Sequence, residues 1–125
     1  MIHLDTGFLI TALVPGSAQD QALREWLGGG ERIAMSTIAW TEFLCGPVQA
    51  THIELATTIV SERIPFDDQH ANLAATLFND SGRRRGSLAD CMIAATALHA
   101  EAQLATNNRN DFRPLRSIGL MLAEV

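Results

Sequence analysis

The sequence predicts an α/β fold in which a parallel or mostly parallel sheet is covered on both sides by helices, as one domain over residues 1–125. Three observations predict it. Short apolar runs alternate with helical patterns along the whole chain, and right-handed crossovers then make the strands parallel. A length of 125 residues suits one core. Residues 87–98, SLADCMIAATAL, form a helix that is apolar all round at about 100° per residue, and such a helix belongs inside.

The elements follow in order. Met1 to Leu4 reads as a buried strand ending at Asp5, and Thr6 to Val14 as a helix stopped by Pro15. Ser17 to Leu27 is amphipathic, with Ala22, Leu23 and Trp26 on one side and Asp20, Arg24 and Glu25 on the other. Gly28, Gly29 and Gly30 end it, and without a lysine or GxGxxG spacing they read as a helix end and turn. Ile33 to Ser36 is a second strand. Thr37 to Pro47, TIAWTEFLCGP, is a helix stopped by Gly46 and Pro47, and Ala50 to Ser61 is another.

Ile64, Pro65 and Phe66 read as a brief extended link. A helix then runs from Asp67 or Asp68 to about Phe78. Asn79 to Gly86, NDSGRRRG, is the clearest loop. Gln103 to Thr106 is a strand, Asn107 to Phe112 a polar turn, and Gly119 to Val125 the last strand. No internal repeat, linker or low-complexity tract interrupts the chain.

Composition narrows the function. The chain is 47% hydrophobic and 18% charged, with a mean hydropathy of +0.10, so an apolar face waiting for a partner, as in a dimer, is expected. Cys45 and Cys91 have no Cys-x-x-Cys or Cys/His clustering and are expected reduced and buried. No apolar run is long enough for a membrane span, and no basic leader precedes Asp5, so a cytoplasmic protein is expected. His52, His70 and His99 lack ligand spacing.

A net charge of −5 argues against a surface coated for nucleic acid. The distribution is more informative than the sum. The chain has no lysine, and six of its nine arginines follow position 82, namely Arg83, Arg84, Arg85, Arg109, Arg113 and Arg116. Arginine favours bidentate phosphate contact, so a local cradle beside an acidic site is one reading and a solvated charge run is the other.

Three acids draw attention. Asp90 lies in the apolar helix 87–98, where an unpaired carboxylate is costly; Ser87 and Asp90 also fit a capping box. Asp5 ends a strand at the edge where α/β sheets bind ligands, and it also suits the N-cap of the next helix. Glu42 falls close to Ile38 and Cys45 in an apolar segment; a surface glutamate is the plainer alternative. Asp5 and Asn108 both follow strands. Carboxylates that repel one another in a pocket call for a hard divalent cation, and Mg²⁺ or Mn²⁺ takes oxygen ligands of this kind.

Taken together, MIHLDTGFLI, TEFLCG, ADCMIAATAL and LATNNRNDF resemble the PIN domain, and specifically the VapC-type ribonuclease toxins of bacterial toxin–antitoxin pairs. The resemblance covers nearly the full chain in motif order and spacing. It implies a PIN-like α/β/α sandwich, with Asp5, Glu42 and Asp90 holding Mg²⁺ or Mn²⁺. The fourth acidic position of the family falls on Asn108, a neutral oxygen ligand, and Asp111 lies three residues later to compensate. Thr6 and Thr106 match hydroxyl positions lining the family's site.

The reaction implied is hydrolysis of an RNA phosphodiester by a metal-activated water. No histidine or serine constellation for a covalent nucleophile competes with it. Arg83, Arg84, Arg85, Arg109 and Arg113 are candidates for holding flanking phosphates, the first four as substrate-binding residues. The resemblance also implies a homodimer and a small antitoxin. One alternative is a degenerate PIN domain that binds RNA or protein without cutting, which Asn108 favours. A phosphorylated receiver domain is excluded by the missing lysine.

Overall fold

In the computed structural model, which describes residues 1–125, five strands form one sheet in the order β3-β2-β1-β4-β5. The elements are β1 (Ile2–Leu4), α1 (Thr6–Ala12), α2 (Ala18–Gly28), β2 (Ile33–Ser36), α3 (Thr37–Cys45) and α4 (Ala50–Ile59). Then come β3 (Glu62–Ile64), α5 (Asp68–Asp80), α6 (Leu88–His99), β4 (Gln103–Ala105), α7 (Arg109–Phe112), a 3-10 helix (Arg113–Ile118) and β5 (Met121–Leu122). Every strand pairing is parallel. The expected α/β sandwich is therefore present.

Parallel strands need crossovers, and the helices provide them while covering the sheet. Every residue of β1 and β2 is buried, as expected for strands packed on both faces. Phe8, Leu9, Ala12 and Leu23 from α1 and α2, and Ala39 and Phe43 from α3, join Ile93, Ala94 and Ala97 of α6 in one core. Phe8 also stacks on Trp26 with ring centroids 5.6 Å apart. The inside-helix reading of residues 87–98 holds for Cys91 to Ala97, apart from half-buried Met92, whereas Leu88 at its start is exposed.

Helix starts follow local chemistry. Ser17 caps α2 by accepting from Asp20 N at 3.0 Å, and Ser36 caps α3 by accepting from Ile38 N at 3.1 Å. Asp67 and His70 form a reciprocal capping box at the start of α5.

Five expectations are corrected. The helix from Ala50 ends at Ile59, and the link expected at 64–66 is preceded by a true strand, Glu62–Ile64. This edge strand carries few apolar residues; Arg32 fastens it to β2 by donating to both Glu62 oxygens at 2.8 and 2.6 Å. The polar turn at 107–112 contains the short helix α7, and residues 113–118 form a 3-10 helix, so the last strand shrinks to Met121–Leu122. Cys45 is exposed, because α3 turns that side to solvent; Cys91 is buried as expected.

Candidate active site

The chain leaves β1 for β2 and β3 on one side of the sheet, then returns to place β4 on the other. The β1/β4 boundary is thus the topological switch point, where the carboxyl ends of strands leave a crevice for ligands. Asp5 follows β1 there, and its N–H extends the ladder to Ala105 O at 3.0 Å. Thr106 follows β4. Its hydroxyl donates to Asp5 Oδ2 at 2.6 Å and accepts from Asn108 N at 3.0 Å.

Asp5 stands at the N-cap position of α1 but makes no side-chain capping bond. Its carboxylate is 6% exposed and turned to Thr106 instead. The capping explanation for Asp5 therefore fails. The same holds for Ser87, whose hydroxyl caps nothing in α6 and donates to Arg84 O at 2.7 Å.

Glu42 reaches the same region from α3, which grows directly out of β2. Its Oε1 accepts from the Thr6 hydroxyl at 2.8 Å, and that hydroxyl also lies 3.1 Å from Ala39 O. Contrary to its apolar sequence neighbours, Glu42 is exposed. The short α3 turns Ala39 and Phe43 inward and leaves Glu42 on the flank of that face.

Asp90 carries the electrostatic signature of the site. Burial in the first turn of α6 pushes its carboxyl up to about 6, and the charges of Asp5, Asp111 and Glu42 push in the same direction. Arg84 opposes them. The charges of acids after β1, on α3 and on α7 thus act on one side chain of α6. Arg84 Nη2 donates to Asp111 O at 2.9 Å, and Nη1 lies 3.9 Å from Asp111 Oδ1.

The donor set is hard oxygen throughout, from carboxylates and hydroxyls, with no thiolate or imidazole among them. That chemistry fits Mg²⁺ or Mn²⁺. No three acidic, histidine or cysteine side chains are drawn into a ready-made cage. Asp5 and Glu42 are each held by a threonine, and their charges act on Asp90.

The remaining candidates divide. Asn108 is exposed and contributes its backbone N–H to Thr106. Arg83 lies over the Phe78 ring at 5.4 Å and donates to Asn79 Oδ1, away from the acids. Arg109 donates to Ala123 O at 2.8 Å and pairs with Glu124 at 3.5 Å. Arg84, Arg85, Ser87, Asp90 and Asp111 share one polar cleft.

Sequence reasoning missed Asn107. Its Nδ2 donates to Gly7 O at 3.1 Å and to Thr11 Oγ1 at 2.9 Å, while its Oδ1 accepts from Gln19 Nε2 at 3.0 Å. It staples α1 and α2 to the turn after β4. The only signal was a second asparagine directly after a strand.

The PIN domain family matches residues 2–116. Among solved structures, a chain of a toxin–antitoxin complex from Klebsiella pneumoniae is 26% identical, with a TM-score of 0.74 and 90% of both chains covered. A chain of VapBC-1 from nontypeable Haemophilus influenzae is 25% identical, with a TM-score of 0.73, covering 99% of this chain and 98% of that one. A chain of VapBC2 from Rickettsia felis, bound to a DNA fragment from their promoter, shares the fold at 22% identity and a TM-score of 0.76, with 98% of each chain covered. No curated protein matches in sequence.

Proposed function

Because the chain belongs to the PIN domain family, we propose that it is an endoribonuclease dependent on Mg²⁺ or Mn²⁺ and the toxin of a type II toxin–antitoxin pair. One arrangement carries this reading: Asp5 is held by Thr106 at the switch point of the sheet, and its charge, with those of Asp111 and Glu42, adds to the burial that pushes the Asp90 carboxyl up to about 6. Such a concentration of negative charge is unfavourable to folding and suits a site built for a cation and a phosphodiester.

Asp5, Glu42 and Asp90 are the residues that would hold the ion. When bound, the ion lowers the pKa of a water and neutralises charge on the phosphate. Thr106 keeps Asp5 Oδ2 engaged, leaving Oδ1 for ligation, and Thr6 orients Glu42 in the same way. Asp111 supplies the negative charge that Asn108 lacks, and Asn108 Oδ1 is a neutral oxygen at the rim. No side chain becomes covalent with RNA.

An antitoxin partner is supported by the toxin–antitoxin complexes among the structural neighbours. It is also supported by apolar residues left in the open. Ile10, Val14, Leu44 and Leu55 are each 45% exposed or more. Leu13, Val14, Phe43 and Val48 line a cleft of about 340 Å³ between α1 and the end of α3. A homodimer draws on the same kind of surface. No helix is long and apolar enough to cross a membrane.

RNA cleavage by the wild type and by Asp90→Asn, each with Mn²⁺, Mg²⁺ or EDTA, tests the reading. Cleavage is expected only for the wild type with metal. Equal activity in every condition rejects the metal mechanism. Absence of activity in all of them favours a degenerate PIN domain that binds without cutting, the reading favoured by Asn108 and by the open arrangement of the acids. Expression with the product of a small adjacent reading frame is expected to suppress cleavage, and sedimentation at micromolar concentration reads the dimer.

A further inference from the structure

Only part of the arginine-rich loop is free to meet a ligand. Between α5 and α6 the backbone turns through Gly82 (φ 97°), Arg83 (φ 55°) and Gly86 (φ 81°), conformations that glycine adopts at least cost. The Arg84 carbonyl accepts from Ser87 N at 3.1 Å and from the Ser87 hydroxyl at 2.7 Å. Those bonds anchor the loop to the start of α6, one turn from Asp90.

The arginines then separate by what they already hold. Arg83 is engaged with Phe78 and Asn79, and Arg109 with Ala123 and Glu124. Arg84 commits one N–H to Asp111 O, leaving most of the five donors of its guanidinium. Arg85 is exposed and pairs with no acid. Both line a wholly polar cleft of about 160 Å³ with Gly86, Ser87, Asp90 and Asp111.

That cleft is one end of a longer track. Asp111 is shared with a second wholly polar cavity of about 470 Å³ over residues 107–111 and Arg113. Asn107 and Arg109 are shared in turn with a third, of about 350 Å³, reaching Thr106, Gln19 and Phe8. The track crosses the start of α7 past the acid cluster. A flexible single strand can bend along such a succession of clefts, whereas a stiff duplex cannot.

We propose that Arg84 and Arg85 grip backbone phosphates of single-stranded RNA beside Asp90, and that Arg83 serves the fold instead. This rests on the ribonuclease reading for its ligand, but its test needs no cleavage. In a chain of net charge −5, the attraction has to be local, and two adjacent guanidinium groups supply it at the lip of the acidic site.

The test is anisotropy of a labelled single-stranded 2′-O-methyl RNA, which cannot be cut, titrated with Mg²⁺ over a series of salt concentrations. The Arg84→Ala/Arg85→Ala double variant is expected to bind about tenfold more weakly, with its log–log salt slope reduced by about 1.4, for two phosphates on a single strand. Arg83→Ala is expected to keep the wild-type slope, thermal unfolding of each variant being read separately. An unchanged slope in the double variant, an equal fall in Arg83→Ala, or equal affinity for a duplex of the same sequence overturns the proposal. Cleavage by the wild type with an unchanged slope removes the grip alone. Arginine-dependent binding without cleavage in any metal removes the ribonuclease reading and leaves the grip standing.

Discussion

The hydroxyl of Thr106 donates to Asp5 Oδ2 at 2.6 Å, joining the ends of β1 and β4 across 101 positions of sequence. The same oxygen accepts from Asn108 N, so one side chain fixes both the carboxylate and the turn that follows β4.

Thr106→Val keeps the shape and removes both bonds. A buried carboxylate oxygen and a backbone N–H then lose their partners, at a cost of about 1–3 kcal/mol. Activity is expected to fall about 10- to 100-fold, as for other residues that orient ligands. Thr106→Ser is expected to recover most of both losses. Urea unfolding and RNA cleavage measure the two effects, and a valine variant with wild-type cleavage would remove Thr106 from the mechanism.

Asp90 sets stability against function. Its folded pKa, about 6, lies above the ordinary aspartate value of 3.8. The folded state therefore binds the proton more tightly, and stability falls as pH rises from about 4 through 6. After discounting for a half-buried group, the penalty at neutral pH is on the order of 1–2 kcal/mol. Asp90→Asn is therefore expected to melt higher than the wild type at pH 7 in EDTA, to lose that advantage below about pH 4, and to cleave no RNA. A lower melting temperature at pH 7 would mean that repulsion is not what Asp90 experiences.

Cysteine chemistry separates the two thiols. Cys45 is exposed at the end of α3, whereas Cys91 is 1% exposed and burial pushes its thiol up. A thiol reagent is expected to modify Cys45 quickly in the native protein and Cys91 only on unfolding. Mass spectrometry after a short native pulse checks this, and prompt double labelling would contradict the packing of α6.

Periodicity made the buried elements legible before the fold was described. Ile2–Leu4, Ile33–Ser36 and the helix around Ile93 announce themselves because burial on all sides demands unbroken apolar residues. Edge strand β3 is invisible to that signal, since Glu62 and Arg63 need no apolar partner and Glu62 is held by Arg32. Residue type flagged Asp5 and Asp90, whereas the exposure of Glu42 depends on which way α3 turns as it leaves β2. The division of labour among the arginines could not be read from a run of three, because Phe78, Asn79, Asp111 and Glu124 decide it through space.

His3 gives the fold an acid limit. It sits in the central strand at 1% exposure, and neither ring nitrogen has a hydrogen-bond partner. Its pKa is lowered from 6.5 to about 4, chiefly by burial; Glu62 opposes this, and the chain N-terminus and His70 add to it. The unfolded chain therefore takes up this proton first, so the contribution of His3 is complete above about pH 6.5 and is lost as pH falls toward 4. The loss amounts to about 3 kcal/mol for a shift of this size. Asp20, Glu62 and Asp67, whose carboxyls are lowered by partners, lose their contributions at lower pH, so the two windows separate. His3→Leu removes the titrating group from an apolar strand and is expected to flatten the decline between pH 6.5 and 4 while leaving the lower limb in place. Denaturant unfolding at a series of pH values measures it, and an unchanged slope in the leucine variant would assign the acid limb to other groups.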